Sequence, residues 1–226
     1  MKILIDNGHG ENTPGKRSPD GSLREYAYVR EIADRIAHEL SARGYDAERI
    51  VRETVDVPLS ERVRRVNEVC GRYGTANVVL VSIHCNAAGN GIEWMNARGW
   101  SAYTSKGKTK ADKLATFLYE EAEKNFISQR IRKDNSDDDP DWEENFYILQ
   151  KTKCPAVLTE NFFQDTVRVF HGLLRYIYRC TDAQNAQNLI SIPQNRHFGQ
   201  KKASLCAKVC NKRSFCPGRI AFQARK

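Results

Sequence analysis

The stretch Val78-Val79-Leu80-Val81-Ser82-Ile83-His84-Cys85-Asn86 constrains this chain most. So dense a run of β-branched and aliphatic residues predicts a strand buried on both faces. It stops at Ser, His, Cys and Asn and opens into Ala87-Ala88-Gly89-Asn90-Gly91. A strand that ends this way delivers His84 to the rim of a sheet, where open α/β sheets bind their ligands. The N-terminus repeats the design: Lys2-Ile3-Leu4-Ile5-Asp6 is a short apolar strand followed by Asn7-Gly8-His9-Gly10. If the two strands are parallel neighbours, two imidazoles share one edge, which suggests a metal. A lone histidine after a strand is more often a hydrogen-bonded loop residue. Two in matching positions, one between glycines, shift the balance toward function.

The intervening chain reads as strand and helix in alternation. Glu11 to Gly21 has loop composition throughout, ending in the turn signal Asp20-Gly21. Leu23 to Arg43 predicts a helix, with Tyr26, Val29, Ile32, Ala33, Ile36 and Leu40 at helical spacing and Gly44 as its stop. Tyr45 to Val51 is a second strand. A further helix runs to Arg72, with Ser60 placed to cap it and Val63, Val66, Val69 and Cys70 as its apolar face. This order predicts a parallel sheet covered by helices. Beyond Gly91, Ile92–Met95 and Trp100–Thr104 read as one bent strand or two. Lys110 to Phe126 is a helix with Leu114, Phe117, Leu118 and Ala122 on one face. Asp137-Asp138-Asp139-Pro140-Asp141 reads as a mobile surface loop, because it lacks the spaced ligands and turn glycine of a calcium loop. Phe146–Leu149 and Ala156–Leu158 are further strands, the second ending in Thr159-Glu160-Asn161.

His9, Glu25, His84 and Glu160 thus gather at strand ends or at the adjacent helix start. Two histidines and one glutamate form a three-ligand zinc site with an open fourth position. Such a zinc polarises a carbonyl and brings the pKa of its bound water toward neutrality. A second carboxylate that is not a ligand moves the proton from water to a leaving amine, and Glu160 suits that role. Amide hydrolysis is the natural reaction. A Glu in a first helical turn, as Glu25 is, ordinarily serves the helix dipole. An acid following a buried strand, as Glu160 is, is costly unless paired or functional.

At these residues the chain resembles the zinc-dependent N-acetylmuramoyl-L-alanine amidases of the Amidase_3 family. The opening strand through Gly10 is similar to the family's first zinc-histidine motif, and Leu23-Arg24-Glu25 to its zinc glutamate. Arg52–Asp56, Leu59, Arg62 and Asn67 resemble its central loop and helix, and Ser82–Ala87 its second zinc histidine. Asn145–Leu149 with Cys154–Glu160 resembles the last motif, which carries the catalytic glutamate. The resemblance covers roughly residues 2 to 165, and five motifs in the right order are specific. It implies an α/β fold of the amidase/phosphorylase-hydrolase type, with a mixed, mostly parallel central sheet flanked by helices. It also implies Zn2+ held by His9, Glu25 and His84, catalysis by Glu160, and peptidoglycan as substrate. The bond cut would join the lactyl group of N-acetylmuramic acid to L-alanine of the stem peptide.

Charge divides the chain. The net charge is +8, yet residues 1–165 hold 24 Lys and Arg against 27 Asp and Glu. Residues 166–226 hold 12 basic residues and one acid, Asp182. The first part reads as a soluble enzyme domain and the second as a basic appendage. The expected division is an amidase domain over 1–179 and a basic, cysteine-containing tail over 180–226, poorly ordered or atypical. Cys70, Cys85 and Cys154 lie among apolar residues, as buried thiols do. Cys180, Cys206, Cys210 and Cys216 crowd the tail, and the odd total of seven argues against a disulfide framework. His197 with the last three tail cysteines lacks a standard zinc spacing. Phe170, Leu173, Leu174, Ile177 and Tyr178 suit a closing helix on the sheet. The abrupt loss of acids suggests a shifted reading frame or a recombination junction in the tail.

No apolar run approaches the roughly 20 residues needed to span a bilayer. No leader precedes the first strand, so the expectation is synthesis in the cytoplasm and action in the periplasm or cell wall. No specific nucleic-acid partner is expected. The competing reading is a catalytically impaired amidase-like domain that holds cell-wall or other anionic polymer through its basic tail. A zinc peptidase cutting the stem peptide is a nearer alternative.

Overall fold

The computed structural model describes residues 1–166. The expected closing helix, the division at 179/180 and the tail cysteines lie outside the described residues. Among them, six strands form one sheet in the order β2-β1-β3-β6-β4-β5. β1 (Lys2–Asn7) sits parallel between β2 (Asp46–Arg49) and β3 (Val78–Asn86), and β3 pairs in parallel with β6 (Ala156–Phe163). β4 (Ser101–Thr104) runs antiparallel to β6 and parallel to the two-residue edge strand β5 (Trp142–Glu143). The sheet is thus mixed and mostly parallel, as expected.

Helices cover both faces, which is why the central strands are apolar without alternation. On one side α1 (Glu25–Ala42) and α3 (Ala111–Asn125) bury Val29, Ala33, Ala115 and Tyr119 against Ile3, Ile5, Val79 and Ile83. On the other, α2 (Leu59–Tyr73) and α4 (Tyr147–Lys151) bury Val63, Val66, Ile148 and Leu149 against Leu4, Leu80 and Leu158. Successive β1 residues therefore enter different cores, as the two-residue period of a strand requires.

Several expectations are corrected. Phe146–Leu149 is no strand; Tyr147–Lys151 is helical. Four apolar residues fit either a strand or one buried helical turn, and Ile148 and Leu149 fill the α2-side core as a turn. Ser60 does not cap α2: Pro58 stands at the N-cap and no side chain bonds the helix start. Ile92–Met95 is not a strand, and Met95 makes only an isolated bridge to Thr166. On α3, Leu114, Leu118 and Ala122 pack on the core as expected, but Phe117 does not, and the most buried apolar residues are Ala111, Ala115, Tyr119 and Ala122. Within the 137–141 run, Asp137 and Asp138 are exposed, but Asp141 is 1% exposed. β6 does not stop at Leu158; it continues through Glu160 to Phe163. Its pairing with β3 shifts register between His84 and Asn86, a bulge of the kind that re-aims side chains beside active sites.

Candidate active site

β1 delivers His9 to the sheet rim through a tightly packed turn. Gly8 extends the ladder by donating to the Ile83 carbonyl at 3.0 Å, and His9 then adopts a left-handed φ of 58°. The flanking glycines answer to close approach. A Cβ on Gly8 would lie 2.3 Å from Cε1 of His84, and one on Gly10 would lie 1.9 Å from the backbone nitrogen of Asp56. Two arginines hold the turn from beneath. Arg62, 2% exposed, donates to Asp6 Oδ1 and the Asn7 carbonyl at 2.6 Å each, and to the His9 carbonyl at 3.3 Å. Its remaining bonds reach Val57 O at 2.8 Å and Asp56 Oδ1 at 2.9 Å. Arg30 donates to the His9 carbonyl at 2.9 Å and to Glu53 O at 2.8 Å. The planar guanidinium fork makes such multiple capture possible.

Glu25, the first residue of α1, is fully buried. Its backbone N–H donates to the Lys16 carbonyl, and its Oε1 accepts from the Cys85 N–H at 2.9 Å. The same Oε1 lies 3.5 Å from His9 Nε2 and 3.2 Å from His84 Nδ1. The two imidazoles stand edge-on at 88°, their centres 5.0 Å apart. One ligand atom from each of His9, Glu25 and His84 lies within 4.8 Å of the others. Bonds of 2.0–2.2 Å in a tetrahedral zinc site separate neighbouring ligand atoms by about 3.3 Å. The two separations at Oε1 match that, and the second Glu25 oxygen is buried with no donor among the described residues. The residues present therefore fit a small divalent cation.

Glu160 stands beside this cluster, in register with His84 across the β3–β6 pair and with Ser101 across the β6–β4 pair. Burial pushes its carboxyl up to about 7, against the pull of His84. Burial pushes His9 down to about 4, so its imidazole is neutral at pH 7, the form that binds metal. His84 moves the other way: burial lowers it, but the Glu25 hydrogen bond together with the charges of Glu160, Glu25 and Asp6 outweighs burial and raises it. Burial lifts the Cys85 thiol well above its ordinary range, leaving it an inert packing group. Asn161 braces the wall by donating to the His84 carbonyl at 3.0 Å and accepting from Trp100 Nε1 at 3.1 Å. Asp165 accepts from Ala88 and Gly89 N–H at 2.8 Å each and shapes the turn that follows β3.

The structure thus brings His9, Glu25 and His84 together and sets Glu160 next to them. The four were named from sequence; Arg30, Asn161, Trp100 and Asp165 were not. Residues 3–189 match the N-acetylmuramoyl-L-alanine amidase family, Amidase_3. The chain belongs to this family. Over 110 residues it is 36% identical to the N-acetylmuramoyl-L-alanine amidase AmiC of Neisseria meningitidis serogroup B, covering 46% of this chain and 25% of that protein. Over 166 residues it is 28% identical to the endolysin of Bacillus phage SPP1, covering 72% of this chain and 55% of that protein. The chain therefore spans a quarter of the first relative and just over half of the second. The N-acetylmuramoyl-L-alanine amidase from Clostridium difficile 630 superposes with a TM-score of 0.65 at 26% identity, covering 84% of this chain and 92% of that one. AmiC2 of Nostoc punctiforme has the same fold, with a TM-score of 0.66 at 23% identity over 84% of this chain and 94% of that one. Among the described residues of this Amidase_3 member, no helix is long and apolar enough to cross a membrane.

Proposed function

We propose that this chain is a zinc-dependent peptidoglycan amidase that hydrolyses the amide between N-acetylmuramic acid and L-alanine of the stem peptide. The observation that carries the reading is the convergence of His9, Glu25 and His84 at the rim where β1 and β3 end, with Glu160 in register beside His84. Family membership and the likeness to AmiC and the phage endolysin support the same reaction. Two imidazoles and a carboxylate favour zinc over oxygen-seeking magnesium or calcium.

His9, Glu25 and His84 would hold the ion. Zinc bound there supplies a Lewis acid for the scissile carbonyl and a water of near-neutral pKa. Glu160 takes the proton of the attacking water and passes it to the leaving amine. Its burial beside the cluster, in register with His84, sets it where such a transfer would take place. Asn161 and Trp100 keep the β6 segment that carries Glu160 fixed against β3. On the same reading residues 1–179 carry catalysis, 180–226 form a basic appendage, and the place of action is the periplasm or cell wall.

The test is digestion of purified sacculi with mass analysis of the products. Intact stem peptides beginning at L-alanine are expected, lost with a chelator and restored by zinc. Glu160→Gln is expected to keep its zinc and lose turnover by about 10²–10⁴-fold. Fragments cut inside the stem peptide would make the chain a zinc peptidase instead. Full turnover by Glu160→Gln would take the proton-transfer role away from Glu160.

A further inference from the structure

Two cations stand beside Glu160, and no described acid of this chain pairs with either. Arg132 follows the isolated bridge between Trp100 and Ile131, and its N–H donates to the Trp100 carbonyl at 2.8 Å. Its side chain lies across Gly99, where a Cβ would come 2.8 Å from Arg132 Cγ. The guanidinium packs against two rings, 5.2 Å from the centre of Phe163 and 5.4 Å from that of Trp142. Phe163 ends β6, the strand that carries Glu160, and lies in register with Asn86 at the end of β3. Among the described residues only the backbone of Arg132 is hydrogen-bonded, its carbonyl accepting from Tyr119 Oη at 2.9 Å and Trp142 Nε1 at 3.4 Å.

Lys16 approaches from the α1 side. Its carbonyl accepts the Glu25 N–H at 3.0 Å, which sets it against the start of that helix. With Arg17, Arg24 and Tyr26 it lines a cavity of about 320 Å³, where Glu11 is the one acid among the described lining residues. Among the described residues Lys16, Arg17 and Arg24 form no ion pair. The charges of Lys16 and Arg132 both reach the centre. Burial acts on the Glu160 carboxyl first, then His84 and Glu25, and next come Lys16 and Arg132, each drawing it down. A guanidinium held by its stem with its N–H edges free matches a carboxylate bidentately. Fixed charge of one sign at a rim also concentrates ligands of the other sign.

The stem peptide carries a matching anion close to the scissile amide. The residue after L-alanine is D-glutamate, joined through its side-chain carboxyl, and its main-chain carboxyl is free in some walls and amidated in others. We propose, resting on the amidase reading above, that Arg132, aided by Lys16, binds this free carboxylate and so selects stem peptides that are not amidated there. The carboxylate belongs to the leaving peptide, the side of the bond to which Glu160 passes its proton. Holding it would position the leaving amine as well as choose the substrate.

The experiment is calorimetric titration of two dipeptides, L-alanyl-γ-D-glutamate and its α-amide, into the zinc-loaded full chain, with thermal melts to show that each variant is folded. The parent is expected to bind the acid on the order of tenfold more tightly than the amide, the worth of a charge-assisted hydrogen bond. Arg132→Met keeps an apolar stem over Gly99 without the fork and is expected to erase that preference. Arg132→Lys keeps the charge alone and is expected to retain part of it. Lys16→Met is expected to reduce it by roughly threefold, as loss of one exposed charge does. Lys113→Met, at an exposed position on α3, is the control for net charge and is expected to bind as the parent does. Equal binding of acid and amide by the parent would overturn the inference. So would equal loss in Lys113→Met and Arg132→Met, which would mark overall charge. Cleavage of sacculi is read separately. A chain that prefers the acid dipeptide but releases no stem peptide keeps the carboxylate site and loses the amidase reading. One that releases stem peptides yet ignores the carboxylate loses this site alone.

Discussion

Arg62 is the residue on which the His9 turn depends. It is almost fully buried, and its five bonds join Asp6, Asn7, His9, Asp56 and Val57. Asp6 in turn spends its second oxygen on Ser82 Oγ at 2.6 Å, so one buried network links β1, β3 and α2. Arg62→Ala leaves the Asp6 charge buried and short of its partner, and a loss of about 3–5 kcal/mol is expected in denaturant unfolding. Arg62→Lys keeps a charge but cannot reach all of these acceptors. Its expected signature is a zinc affinity lowered on the order of 10–100-fold, read by competition with a chromophoric chelator, since supports behind metal ligands commonly carry that much. The four candidate site residues were legible in the sequence because each sits where an apolar run stops or a helix starts. Arg62 was visible only through the family resemblance: within a helix, one arginine beside Val63 and Val66 looks like a surface charge. Asn161 and Trp100 gave no signal, because their bond spans 61 positions and depends on β6 lying beside β4.

At the scale of elements, what could be read followed the strength of periodicity. α1, α2, α3, β1 and β3 each carry long or dense apolar patterns, and their observed spans lie within a few residues of those expected. The short pieces did not declare themselves. β5 has two residues and α4 five, too few for any period to show. Ser60 illustrates a different loss of information. A serine near a helix start carries a capping signal, but here the chain enters α2 through Pro58, and Glu61 and Arg62 N–H groups donate to the Pro58 carbonyl. Ser60→Ala is therefore expected to change unfolding free energy by less than about 0.5 kcal/mol, as exposed substitutions do. Loss of a true cap would cost about 1 kcal/mol, and denaturant melts separate the two.

For the whole molecule, a metal held at the proposed site would be thermodynamically linked to the fold. The three candidate ligands come from the turn after β1, the start of α1 and β3, segments that meet only in the folded chain. An ion that binds the native state and not the unfolded one stabilises by about 2.7 kcal/mol at a hundredfold excess over Kd. Chelation is thus expected to lower the melting temperature by several degrees as well as to abolish turnover, and restored zinc to recover both. A chelator that silenced the protein without moving its melt would separate metal from stability. The charge imbalance between residues 1–165 and the rest was plain from composition, but composition alone carries no geometry.

β6 lies in the middle of the sheet yet comes last among the described strands. Until the ribosome has released residues 156–163, β3 and β4 lack the strand that lies between them, and Glu160 is missing from the site. On the proposed function, a nascent or prematurely stopped chain lacking this strand is expected to be inactive. It is also sticky, because two unpaired central edges invite pairing with other chains.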